Sequence, residues 1–192
     1  MLLGVSGQMP HPVRVAVDGP SCADPGWLAL AVARCLRELG CAAIVVATSS
    51  FWRDASVRLE HGHADVDGYF DGWLDAVALT REVLTPLGPG GSRRYLPALR
   101  DPVSNRSVHA AYGTMPERGV LLVAGDLLLG RGLEFDLTVH LALSPAARAR
   151  RTGSDQQWAL AALDRYDRSV DPAGIADVVV RWDDPARPAL RL

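Results

Sequence analysis

Five short apolar runs, each too brief for a core helix and each bounded by polar or turn residues, constrain this chain more than any other feature. They are residues 13–17 (VRVAV), 42–47 (AAIVVA), 120–124 (VLLVA), 137–143 (LTVHLAL) and 177–181 (DVVVR). Runs of this length, rich in valine, isoleucine and leucine and lacking a polar alternation, read as strands buried on both faces. Helical spacing separates them. Between the first two runs, Leu28, Ala31, Val32, Cys35, Leu36 and Leu39 recur at intervals of three and four, and Gly40 closes the segment. Further helical patterns span residues 73–84 and 145–166, the latter rich in Ala, Arg and Leu. Strands alternating with helices predict an α/β chain: a parallel five-stranded sheet covered by helices on both faces, in three layers.

At 192 residues, 48% hydrophobic and 22% charged, the chain is expected to form one domain with a full core. A formal charge of -2 leaves no basic footprint, so nucleic acid and anionic membranes are not expected partners. No apolar run approaches the roughly 20 residues of a membrane helix, and the start MLLGVSGQMPHP lacks a leader pattern, so a cytoplasmic location is expected. The three cysteines, Cys22, Cys35 and Cys41, show no C-x-x-C spacing and read as free thiols. All twenty basic residues are arginine. Without lysine, arginine must carry every cationic role, and Schiff-base chemistry is excluded.

The stretch GPSCADPGW at 19–27 lies between the first strand and the first helix, where a phosphate-binding loop would sit. A working loop of the pattern G-x-x-x-x-G-K-[ST] cradles phosphates with backbone N–H groups, a lysine and a metal-binding hydroxyl. Here Gly19 keeps the first glycine, while Asp24, Pro25 and Gly26 take the glycine, lysine and hydroxyl positions. Asp24-Pro25 instead reads as a capped helix start.

Taken together, VRVAVDGPS, SSFWR (49–53), LTPLGPGGSRRY (84–95), LLVAGDLLL (121–129) and ADVVVRWDDPARPAL (176–190) resemble uridine kinase-like P-loop kinases, in family order and over most of the chain. The resemblance implies a nucleoside kinase-like fold spanning residues 1–192, with an acceptor-site insertion at about 50–119 and a helical lid at about 145–168. It also implies where chemistry should lie. The family's catalytic carboxylate position falls at Ser49 and Ser50, and its acidic residue near magnesium falls at Ala124, with Asp126 two residues on. Serine cannot replace a carboxylate as base. The acceptor region would be built by Phe51, Trp52, Arg53, Tyr69, Asp71, Arg93, Arg94 and Tyr95, and the lid arginines by Arg148, Arg150 and Arg151, with Arg150 named as a ligand contact.

These losses point to a uridine kinase-like protein that has given up ATP-dependent phosphotransfer and binds or transforms a different small molecule, with specialised metabolism as the setting. No cofactor is then expected. Two alternatives stand beside it. One is a divergent active kinase using ATP and magnesium, with Asp126 holding the metal. The other is a non-catalytic pseudokinase acting through protein partners, for which a homodimer is left open. If chemistry has been rebuilt, Asp18, Cys22, Asp24 and Asp126 are its expected catalytic groups, because ligands of doubly wound sheets gather at the carboxyl ends of the strands. Ser49 and Ser21 share that edge. The segment EHGHADVD (60–67) spaces His61, His63, Asp65 and Asp67 at period two, as on one strand face, a weak metal-site pattern outweighed by a solvated loop. His109 and His140 read as ordinary exposed and core histidines.

Overall fold

The computed structural model describes residues 9–191; the N-terminal stretch MLLGVSGQ lies outside the described residues. Eight strands form in chain order: β1 (Val13–Asp18), β2 (Ala43–Ala47), β3 (Arg94–Tyr95), β4 (Gly113–Thr114), β5 (Val120–Gly125), β6 (Leu137–Ala142), β7 (Val178–Arg181) and β8 (Ala189–Arg191). The α-helices are α1 (Pro25–Glu38), α2 (Ala55–Arg58), α3 (Ala76–Leu79), α4 (Pro145–Arg151), α5 (Leu160–Ser169) and α6 (Pro172–Ile175). Among the described residues no helix is long and apolar enough to cross a membrane.

The main sheet runs β2-β5-β1-β6-β7-β8. The first five are parallel and are the five expected apolar runs. The sheet nevertheless has six strands rather than five, because β8 adds antiparallel to β7. β8 is three exposed residues, ALR, so it carries no apolar pattern from which a strand could be read.

Side-chain parity divides the sheet into two cores. Val13, Val15 and Val17 of β1 and Val120, Leu122 and Ala124 of β5 pack against Ala29, Ala33 and Leu36 of α1. On the other face, Ala16, Leu121 and Val123 meet Ala78 and Leu79 of α3 and Ala162, Leu163 and Tyr166 of α5. Each core contributes about 25 cal/mol per Å² of apolar surface withdrawn from water. The resulting three layers match the expected architecture.

Arg14 is the exception to the apolar strands: it is buried on the α3 face of β1, where its Nε and Nη2 donate to Asp136 at 3.1 and 3.0 Å. A buried guanidinium is tolerated only with such a fork-on-carboxylate pairing.

Three local expectations need correction. The pattern over 145–166 is not one helix but α4, a 3-10 segment at Ser154–Ala159 and α5. The break falls where Thr152 and Gly153 turn extended; the Thr152 N–H makes the last helical bond, to the Arg148 carbonyl at 2.9 Å, and its hydroxyl donates to the same carbonyl at 2.8 Å. The pattern over 73–84 begins its α-helix only at Ala76, capped by Asp75, and passes into a π-helical turn at Thr80–Leu84. Residues 60–67 do not form a strand. Asp65 accepts the Asp67 N–H at 3.2 Å and starts the turn leading to Tyr69, so the period-two face does not exist. Within residues 85–119, β3 and β4 pair antiparallel.

Candidate functional site

β1 and β6 are adjacent and in register, Asp18 opposite His140. After β1 the chain passes to α1, and after β6 to α4, whose Ala147 packs in the same core as α1, before α5 crosses to the opposite face. The carboxyl ends of these two strands are where doubly wound sheets gather ligands.

The loop after β1 is short and self-contained. Ser21–Ala23 form a 3-10 turn, and Asp24 then adopts a left-handed conformation at φ 54°. From there its Oδ1 accepts the Trp27 N–H at 2.9 Å, with Pro25 at the first helical position. The positive end of α1 is thus occupied by the protein's own carboxylate.

Asp126 lies on the other side of this loop. Its Oδ2 accepts the Ser21 hydroxyl at 2.6 Å and also the Tyr69 hydroxyl. Burial raises the Asp126 pKa, the hydroxyl donors opposing the shift. Tyr69 is likewise raised, first by burial and then by the Asp126 charge, so it stays a neutral donor.

Beyond Tyr69 an aromatic cluster fills the space. Tyr69, Trp52, Trp73 and Trp158 pack edge-on or tilted with ring centroids 4.8–5.9 Å apart. The Arg58 guanidinium sits over Trp52 and Trp73 at 5.0 and 4.8 Å. What remains between Thr48, Trp52, Tyr69, Asp126 and Arg131 is about 10 Å³, room for one water at most. Trp52 and Tyr69 thus pack the insertion together, and Tyr69 also borders the cleft described below.

The remaining expected contacts lie apart from one another. Ser49 is in the turn after β2, and its carbonyl accepts the Trp52 N–H. Arg53 is exposed, its carbonyl accepting Arg58 Nε at 2.9 Å. Asp71 pairs with Arg165 at 3.3 Å. Arg93 is exposed in a left-handed conformation. Arg94 lies over the Tyr112 ring at 5.4 Å, and Tyr95 covers Gly113 across the hairpin, where a Cβ would come within 2.6 Å of its ring.

Arg150 is exposed and lines neither of the cavities described next. Its neighbours in the lid do. Arg151 borders a cleft of about 230 Å³ with Ser21, Cys22, Tyr69, Thr152, Gly153 and Gln156. Arg148 is buried, bound to Asp164 at 2.9 Å and Asp167 at 2.8 Å.

Arg148 faces a second cavity of about 160 Å³, whose other walls include Pro20, His140, Leu143, Tyr166, Asp167 and Asp171. His140, read from sequence as a satisfied core residue, is satisfied at only one nitrogen. Its Nδ1 lies 2.6 Å from Asp18 Oδ2. Asp18, fully buried, accepts the Leu128 N–H at 2.8 Å on its other oxygen. Leu127 makes that bond possible by taking φ 52°, a left-handed conformation unusual for leucine. The Tyr166 hydroxyl borders the same carboxylate and accepts the Leu129 N–H at 2.8 Å; burial and then the Asp18 charge raise its pKa.

His61 and His63 do not assemble a metal site: His61 faces Asp65 at 3.9 Å while His63 packs on Trp158. Among the described residues no group of three or more His, Cys, Asp or Glu side chains could hold a metal ion.

No protein-family model and no curated protein matches the sequence. Solved structures do. A candidate uridine kinase of Bacillus stearothermophilus aligns with a TM-score of 0.72 at 17% identity, over 93% of this chain and 94% of that one. A candidate fructose transport system kinase of Silicibacter sp. TM1040 aligns with a TM-score of 0.61 at 22% identity, over 90% and 91%. The YGR205w protein aligns with a TM-score of 0.60 at 9% identity, over 98% and 92%. At such identities the likeness establishes the fold, a uridine kinase-like P-loop kinase fold along nearly the whole chain, and the fold alone does not carry an activity.

Proposed function

We propose that this protein uses the P-loop kinase fold to bind a small molecule and does not transfer phosphoryl groups from ATP. The observation that carries the reading is the Asp24 carboxylate seated on the Trp27 N–H at the start of α1. A triphosphate would need that position, and it would meet an anion there instead of lysine and backbone donors. Proline at 25 removes one donor outright. No lysine can replace the lost one, since the chain has none.

Magnesium fares no better. Asp126, the carboxylate that would hold it, already accepts two hydroxyls and has its charged form disfavoured by burial. ATP and magnesium therefore do not fit the residues present, and no step is drawn through them. What supports a small-molecule role is the cleft of about 230 Å³ between Ser21–Cys22 and the lid, with Arg151 and Gln156 as its polar contacts. Pockets combining an apolar wall with few polar groups suit small ligands.

Isothermal titration with magnesium-ATP is the test. The expected result is no heat of binding at ligand concentrations up to the millimolar range. Micromolar binding, or phosphate transfer from ATP to any acceptor in a nucleoside panel, overturns the reading.

A further inference from the structure

We propose that Asp18 and His140 form a proton-transfer dyad, in which His140 Nε2 acts as general base toward a hydroxylic nucleophile held with a small, uncharged or cationic ligand in the cavity beneath α5. The proposal goes beyond the absence of phosphotransfer and does not depend on it, because the cavity is distinct from the cleft at Cys22.

The geometry begins with the carboxylate. Asp18 is fully buried and receives hydrogen bonds from a backbone N–H, so it is held as an acceptor aimed at His140 Nδ1. An acceptor there keeps the proton on Nδ1 and leaves the lone pair on Nε2. Nε2 has no hydrogen-bond partner among the described residues, yet it is not among the sealed, partnerless polar atoms, which are only the Trp73 and Trp158 indole nitrogens. His140 is a wall of the cavity, and the proposed dyad has the Nε2 lone pair on that side of the ring. A buried histidine serving only packing would have no need of a fixed carboxylate behind it and open space in front.

The groups facing the imidazole define the environment in which it titrates. Asp18 comes from β1, Tyr166 and Asp167 from α5, Arg148 from α4 and Asp171 from the turn before α6. Arg148 is already neutralised by Asp164 and Asp167. The lining therefore carries an excess of carboxylate, which repels phosphates and carboxylates and admits neutral or cationic ligands. Size narrows the class further. A cavity of about 160 Å³ is close to the roughly 150 Å³ that accepts benzene in an engineered apolar core, which points to ligands of about six to ten heavy atoms.

Phenyl acetate, at the upper end of that size and uncharged, is a suitable probe. In the expected step, a water gives its proton to Nε2 as its oxygen attacks the acetyl carbon. The bond to the phenyl oxygen then breaks, the phenol leaves with the proton from Nε2, and acetic acid is the other product, giving up its remaining proton to solvent. Asp18 holds the imidazolium between the two transfers.

Phenol release is followed across pH for the wild type, His140→Asn, Asp18→Asn and the surface control His109→Ala. His140→Asn keeps a donor for Asp18 but removes the base. The dyad predicts a loss of about tenfold or more in the first two variants, a modest share of the 10²–10⁴ a general base contributes with its own substrate. His109→Ala should match wild type. The wild-type rate should rise with the neutral form of a single imidazole. Nitrogen-15 NMR of His140 supplies a readout independent of hydrolysis: proton on Nδ1 in the wild type, and a shift toward the Nε2–H tautomer in Asp18→Asn. Equal hydrolysis by His140→Asn and wild type overturns the proposal, as does a wild-type neutral imidazole with its proton on Nε2.

Discussion

Asp24 should separate two costs that an ordinary helix cap combines. It is both the cap of α1, through the 2.9 Å bond from Trp27 N–H, and a residue in the left-handed region at φ 54°. Replacing an N-cap aspartate by alanine costs about 1 kcal/mol, whereas replacement by glycine costs only a few tenths. The backbone adds a second difference. A left-handed conformation costs an L-residue with a Cβ roughly 1 kcal/mol, which aspartate partly escapes, alanine bears and glycine does not feel.

Asp24→Ala should therefore destabilise the protein by about 2 kcal/mol and Asp24→Gly by about zero. In a protein of this size that is a fall of roughly 4–8 °C in melting temperature for alanine against almost none for glycine. Calorimetric or circular-dichroism melts of the two variants read the difference directly. Equal melting temperatures for the alanine and glycine variants would refute the reasoning, because then neither the cap nor the backbone at 24 would carry energy. The same glycine variant has a functional arm. Removing the carboxylate exposes orphan N–H groups at the α1 start, so sulfate or inorganic phosphate should stabilise Asp24→Gly against heat more than it stabilises the wild type.

Other outcomes follow from the buried charges. Asp136→Asn leaves the buried Arg14 guanidinium with only the exposed Glu134 carboxylate at 3.6 Å as counter-ion and should cost about 3 kcal/mol, measured by urea unfolding; a variant within experimental error of wild type would contradict the pairing. Asp126 has its pKa raised by burial, so its stabilising contribution is complete below the ordinary carboxylate pKa and is lost as pH rises through the higher folded value. Across that window wild-type stability should fall relative to Asp126→Asn, and parallel stability-pH curves would count against the burial. Gly125→Ala should fail to accumulate as folded protein, since its Cβ would lie 1.8 Å from the Thr48 hydroxyl oxygen, and recovery of soluble protein without movement of Thr48 would be the contrary result.

Much of the architecture was legible along the chain, because a strand buried on both faces announces itself as a continuous apolar run and a helix as a three-four spacing. All five parallel strands were found this way, within a residue or two at each end. The α1 cap was legible for the same reason: Asp24 and the Trp27 N–H it accepts are three residues apart. The segment 145–166 was less so, since nothing in its Ala- and Arg-rich pattern marks Thr152 as the residue where the helix ends. Nor does composition tell which of Arg148, Arg150 and Arg151 turns inward.

The sequence by itself determined the layered fold, the absence of lysine from any phosphate site and the capped start of α1, all of which rest on residue type or on neighbours within one turn. Only the tertiary structure decided which side chains share a site. Asp18 and His140 are 122 residues apart and meet because β6 lies beside β1 with those two residues in register. The aromatic cluster forms because Trp52, Tyr69, Trp73 and Trp158 converge from three segments. Strand order and ring packing are set by how the layers close over one another, and neither leaves a periodic trace in the chain.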